Sequence, residues 1–330
     1  MFKKPEGHID MMLNRIAEDF TNADLQDLYR HSEASDVITV NDRLEDLIKF
    51  TTQDPKAEGL TLPWTDTHDK IRLKFGQLSI WAGINGHKKS TCASQVLLHC
   101  LKEVKVGIAS FEMEVKETFK LMCKQAAACD VVTEDFARDF AEFAQEKVFW
   151  YEAMGGVKPL EAIGAIAALA DRGCKIILVD SLQFCGVSDD TGTEKLFMNQ
   201  LVGLCKALQI HVMLVHHIRK PSSGGDEYKP TRFDVRGSGS IVDQAHLLLI
   251  CWHNKAKADA LHAKSNGFAL STKDLESISQ FGFELTVAKQ RALPFEGMLG
   301  LHDAQGQTFS RRDGSKFGFN IPRTGKYNYE

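Results

Sequence analysis

Between Leu78 and Trp252 the chain repeats one unit, a short and almost wholly apolar run followed by a stretch with helical spacing. The runs are Leu78–Ala82, Lys105–Ser110, Val148–Glu152, Lys175–Asp180, Ile210–His216 and Leu247–Trp252. A strand wetted on one face alternates polar and apolar residues, so runs this apolar imply burial on both faces, as in a parallel sheet covered by helices. The expected class is α/β, doubly wound, with a mostly parallel twisted sheet flanked by helices. Beyond Gln280 the pattern becomes FGFELTVAKQ, EGMLGLHD and QTFS, separated by Pro or Gly turns, which predicts C-terminal antiparallel hairpins added at the sheet edge.

The first ~60 residues differ: MMLNRIAEDF, NADLQDLYRH and NDRLEDLIKFTTQ carry helical spacing, which predicts a small helical appendage over 1–60. It includes an amphipathic helix near Asn41–Thr51 with Leu44, Leu47 and Ile48 as anchors. Pro55, Gly59 and Pro63 mark a linker or entry loop into a main domain over 61–318, and the polar RTGKYNYE closes a flexible tail over 319–330. With 43% hydrophobic residues in 330, the chain can bury a sizeable core. Eight cysteines lie scattered in apolar stretches without metal spacing, and read as reduced core thiols of a cytoplasmic protein. No apolar run approaches the ~20 residues of a membrane span, and no membrane partner is expected. A net charge of −4 argues against a general polyanion-coating protein, so any nucleic-acid contact must be local.

The strand QLSIWAG leads into Gly83, Ile84, Asn85, Gly86, His87, Lys88, Lys89, Ser90 and Thr91, and then into a helical stretch. This is the phosphate-binding P-loop arrangement, in which backbone N–H groups and a helix N-terminus hold phosphate oxygens. Lys89 is placed for the β- and γ-phosphates and Ser90 for Mg²⁺. The motif has glycine directly before that lysine, whereas this chain has Lys88, which leaves three readings: a tolerated variant, a weakened ATPase or an engineered substitution. Glu112, just past the second strand, is a candidate general base, or else it caps the next helix. Asp180 ends the run KIILVD at the sheet edge where ligands of α/β folds sit, placed to hold Mg²⁺ or to act as a cap. Polar groups at His216 and His217 could sense a γ-phosphate, although adjacent residues of a strand face opposite ways. Lys220, Lys229 and Arg232 lie in a polar, glycine-containing segment suited to phosphate contacts, or to a merely solvated connection. Lys289 and Arg291 alternate along an edge strand and share a side; alone they would read as a charged edge that discourages strand pairing.

The order of LPW, GINGHKKST, ASFEM, IILVDSLQF, VHHIRKP, DVRGSGSIVDQAHLLL and VAKQR resembles the ATPase domain of DnaB-type replicative helicases, above all the helicase half of phage primase-helicases and of Twinkle, over roughly residues 60–310. The resemblance implies a RecA-like P-loop NTPase core. It further implies Glu112 as catalytic base, Asp180 with Ser90 on magnesium, and His217 as γ-phosphate sensor. It implies an RGSG segment, here Arg236, Gly237, Ser238 and Gly239, near DNA in a central channel. Lys289 and Arg291 would enter a neighbouring subunit's ATP site, which requires a homo-oligomer, in that family a hexameric ring. The implied activity is an ATP-driven (or other NTP- or dNTP-driven) helicase that moves on single-stranded DNA during replication, with a replisome polymerase or primase as further partners. The compact layout points to a phage enzyme in host cytoplasm. Two alternatives stand beside it: a RecA/RadA-like recombination ATPase, and a non-hydrolysing, nucleotide-dependent assembly or loader protein whose P-loop is degenerate at Lys88.

Overall fold

The computed structural model describes residues 38–321, apart from 154, 188–190, 220–224 and 238. Most of the predicted appendage lies outside the described residues. Its described part is a 3-10 turn, Val40–Arg43, running into helix α1, Leu44–Thr52. Thr39 and Asp42 cap the turn, with Asp42 Oδ2 accepting from the Thr39 N–H at 2.6 Å and its hydroxyl at 2.8 Å. Leu44, Leu47, Ile48 and Phe50 are all exposed. The expected anchors therefore bury nothing among the described residues.

The compact unit that carries the chemistry begins at Pro55. Its strands are β1 Leu78–Gly83, β2 Lys105–Ser110, β3 Val148–Glu152, β4 Cys174–Asp180, β5 His211–His217, β6 Leu247–His253, β7 Phe283–Gln290, β8 Gly297–Ala304 and β9 Thr308–Ser310. They form one sheet in the order β3-β2-β4-β5-β1-β6-β7-β8-β9. The first six are mutually parallel, and β6 to β9 pair antiparallel. The helices are α2 Lys89–Cys100, α3 Val115–Ala127, α4 Glu134–Ala144, α5 Pro159–Asp171, α6 Thr191–Leu208, α7 Gly239–Gln244, α8 Lys255–Ser265 and α9 Thr272–Ser279.

Alternation along the strands builds two cores. Trp81, Met213, Val215, Leu249 and Cys251 face one side with Val96, Leu97, Phe283 and Phe309, whereas Ile80, Ala82, Val212, Leu214, Leu248 and Ile250 face the other with Ile166 and Leu201. Each such side chain contributes roughly 1.5–3 kcal/mol through removal from water. That double burial is why the strands read as apolar runs.

Three expectations need correction. β7 is not an edge strand, because β6 and β8 flank it; only its end beyond Val287, where β8 stops pairing, has an open side. Cys129 is exposed, unlike the other seven cysteines, because it follows the left-handed residue Ala128 that ends α3. The tail does not start at 319: Phe319 is buried, 6.4 Å from Phe140 and 5.7 Å from Phe143 between ring centroids, and Ile321 packs on the same core.

Two buried glutamines staple the C-terminal hairpin to α2. Gln95 Oε1 accepts the Phe309 N–H at 2.8 Å while its Nε2 donates to the Phe309 carbonyl at 3.0 Å. Gln125 Oε1 accepts from Ser94 at 2.8 Å, and its Nε2 donates to the Thr91 and Gln307 carbonyls at 2.9 and 3.2 Å. Trp64 Nε1 also donates to the Phe309 carbonyl, so Gln95→Leu orphans chiefly the Phe309 N–H. We predict a loss of about 1–3 kcal/mol in unfolding free energy by urea titration; an unchanged midpoint would show that the staple is dispensable.

Candidate active site

β1 ends at Gly83, level with His217 of β5. A side chain cannot fit there, since a Cβ would lie 2.6 Å from the Cys251 carbonyl oxygen and 3.1 Å from Lys89 Cγ. The turn 84–88 then feeds α2, whose first N–H groups are free of intrahelical partners and face whatever anion the turn admits. Lys89 is 6% exposed, and its ammonium donates to the Ile84 carbonyl at 3.1 Å. Burial holds it below the usual lysine range, opposed by the thiol of Cys251 and the charges of Asp180 and Glu112.

Lys88 sits at the N-cap of α2 with φ 55° and ψ 30°, the left-handed conformation that glycine adopts freely. For a lysine this costs about 1–2 kcal/mol. Its side chain does not cover the turn; it reaches Asp303 Oδ1 at 2.8 Å.

Asp180 ends β4, almost fully buried. Burial first, and then the charge of Glu112, push its carboxyl up to about 6, while the Ser90 hydroxyl and Lys89 pull the other way. Its Oδ1 is buried without a partner among the described residues. A carboxylate oxygen left bare beside a serine hydroxyl and a lysine fits a hydrated divalent cation bridging to phosphate. Glu112 lies in the exposed loop between β2 and α3. Glu114, not Glu112, takes the N-cap of α3, so Glu112 is not occupied as a cap.

The two histidines diverge. His217 Nε2 lies 3.4 Å from the Ser181 hydroxyl, next to Asp180, and burial, with Lys89, lowers its imidazole to about 4. His216 turns away, its Nε2 2.7 Å from the Arg236 carbonyl oxygen. The Arg236 N–H in turn donates to the His217 carbonyl at 3.1 Å, and Ile218 bridges Val235. The segment after β5 is thus tied back to the strand it left.

Of the residues expected on DNA, Lys220 and Ser238 lie outside the described residues. Lys229 is engaged by Glu284 at 2.6 Å and stacks over Trp252. Arg232 lies 5.0 Å from the ring of Phe233, which is 80% exposed. Arg219 donates to the Gly237 carbonyl, and Gly239 opens α7. A cavity of about 490 Å³ joins Arg219, Arg232 and Phe233 to Lys289.

Lys289 and Arg291 are not brought to this chain's own P-loop. Lys289 pairs with Leu248, and the Arg291 N–H bonds to His246, so both lie at the edge where β6 begins, opposite the edge that carries Gly83. There Lys289 donates to the Val242 and Asp243 carbonyls at 2.6 and 2.9 Å, and Arg291 donates to Asp243 as well.

Sequence reading missed two groups. Phe233, an aromatic between Arg232 and Asp234 in a polar segment, was visible locally; Asp303, whose partner Lys88 lies 215 positions away, carries no local signal.

Residues 62–223 match the AAA-domain family. Solved structures with the same architecture include a helicase-type ATPase domain, with TM-score 0.64 and 16% identity over 82% of this chain and 98% of that one. A DnaB-like replicative helicase, described with its interactions with primase, gives 0.59 and 15% over 87% and 70%. The fold is that of a DnaB-type helicase ATPase domain. Among curated proteins none matches the sequence. Among the described residues no helix is long and apolar enough to cross a membrane.

Acid should destabilise the ligand-free domain. His99, His211, His217 and His246 are held at about 4 by burial, so the unfolded chain takes up their protons near 6.5 and the folded one does not. The stability they contribute is complete above 6.5 and drains away as pH falls toward 4. Asp180, raised to about 6, works in the opposite sense but is one group against four. For His211, 1% exposed, the loss between pH 7 and 5 is about 2 kcal/mol. Urea unfolding at the two pH values measures the sum; equal stability would contradict the burial argument.

Proposed function

We propose that this domain is an ATP-hydrolysing motor that assembles as a ring, translocates on single-stranded DNA and separates duplex during replication. One observation carries the reading: Lys89, Ser90 and Asp180 converge where β1 and β4 end, with the charge of Glu112 acting on Lys89 and Asp180, and the N-terminus of α2 opens onto the same place. Lys89 neutralises the β- and γ-phosphates, and Glu112 takes a proton from the water that attacks the γ-phosphate. Magnesium, held by Ser90 and the free oxygen of Asp180, would neutralise charge developing on the phosphate oxygens. His217, neutral above about pH 4, donates or accepts a single hydrogen bond toward the phosphate end, and its main chain passes a shift on to Arg236.

The position of Lys289 and Arg291 at the far edge supports action on a neighbouring copy's nucleotide, the geometry of a head-to-tail ring. The surface at Arg219, Arg232, Arg236 and Phe233 suits a single strand, with arginines on phosphates and the phenylalanine as a stacking platform. A primase is a fitting partner, as the DnaB-like structure is described with one.

Phosphate release with and without single-stranded DNA tests the motor. Lys89→Ala should abolish nucleotide binding, Glu112→Gln should keep binding and lose turnover by about 100-fold or more, and Arg291→Ala should behave like Glu112→Gln. Nucleotide binding without turnover in the unaltered protein would favour the assembly or loader reading, and full turnover in Arg291→Ala would remove the trans assignment. Separately, Phe233→Ala should weaken single-strand binding roughly 5- to 50-fold in a fluorescence anisotropy titration; unchanged affinity would take the stacking platform away.

A further inference from the structure

Lys88 poses a problem that the nucleotide site does not answer by itself. A lysine holds the one turn position reserved for glycine, and its ammonium lies one residue from the lysine that is to bind phosphate. Left unpaired, that cation would be drawn toward any polyanion in the turn, and its backbone would relax out of the left-handed region.

The structure supplies a specific counterweight. Asp303, at the end of β8, takes the Lys88 ammonium on Oδ1 at 2.8 Å, and its Oδ2 faces His253 Nε2 at 3.6 Å. Room for that carboxylate exists only because residue 282 is glycine: a Cβ there would collide with Asp303 Oδ2. The preceding turn residue is fixed from the same side, since the His253 N–H donates to His87 Nδ1 at 3.1 Å. The hairpin that carries Asp303 is itself stapled to α2 through Gln95 and Gln125. Lys88 and Asp303 also wall a cavity of about 410 Å³ beside Thr91, Gln307 and Phe309, at the first turn of α2.

We propose that Asp303 is a positioning residue for the nucleotide loop: its ion pair holds Lys88 in the left-handed conformation and keeps the extra ammonium out of the phosphate path, so that the pair does together what a glycine would do alone. This rests on the nucleotide-binding reading of the turn. Asp303 does not touch the phosphates, and its effect runs wholly through residue 88.

A double-mutant cycle decides it, with Lys88→Gly as the background that removes both the strain and the cation. Fluorescent ATP-analogue titration of Asp303→Asn should show affinity weakened about five- to tenfold when residue 88 is lysine, and less than about twofold when it is glycine. Lys88→Arg, which can keep the pair, should retain the affinity. Equal losses in both backgrounds, or none with lysine present, would overturn the proposal. Melting temperatures of the same four proteins give a second readout: Asp303→Asn should lower the melting point with Lys88 present and not with glycine, and additive shifts would equally overturn the pair. Should the unaltered protein bind no nucleotide, the motor reading fails while the melting cycle still judges the ion pair.

Discussion

The parallel pairing of β4, β5 and β1 is the constraint on which everything else depends. Because these strands run the same way in register, Asp180, His217 and Gly83 all arrive at one edge of the sheet, although some 40 to 100 positions separate them in the chain. Each strand is buried on both faces, so a slip by one residue would exchange the two cores wholesale. The apolar layers therefore fix the chemistry's geometry, and the polar groups occupy the ends that those layers leave at the sheet edge. Desolvation follows from the same packing: the lysine of the turn and the aspartate of β4 are both held in their less charged direction until a ligand brings opposite charge.

Much of this architecture was legible in the sequence, for a physical reason. Two-face burial writes itself as an unbroken apolar run, and a run that ends in a polar group marks the sheet edge. The strands β2 and β3 accordingly match the expected runs at both ends. The loop GINGHKKST announced itself through its glycines and its lysine. What stayed hidden was pairing between distant segments. Nothing near Lys88 tells where its ammonium goes, and nothing near Lys289 tells that β8 covers most of its strand. Leu44, Leu47 and Ile48 show the limit of periodicity, which marks an apolar face without naming what meets it. Phe319 shows the converse, a core residue in a segment whose composition reads as a tail.

Lys88 also shows that a motif's letters and its physics are separable. A P-loop requires a left-handed turn that leaves room for phosphate. This chain meets the backbone requirement with a residue that disfavours it, at a cost set against a charge-assisted hydrogen bond and a hairpin braced on the P-loop helix. A consensus pattern would score the substitution as damage, whereas the side chain is directed elsewhere.

The contacts between the end of β5 and residue 236 go to main-chain atoms of that residue, a histidine ring meeting its carbonyl and its amide meeting a carbonyl of the strand. A linkage made that way does not depend on which side chain residue 236 carries. The outward-facing surface can therefore drift in charge or shape, and so be refitted to a different polymer, while the mechanical connection to the sheet edge stays as it is.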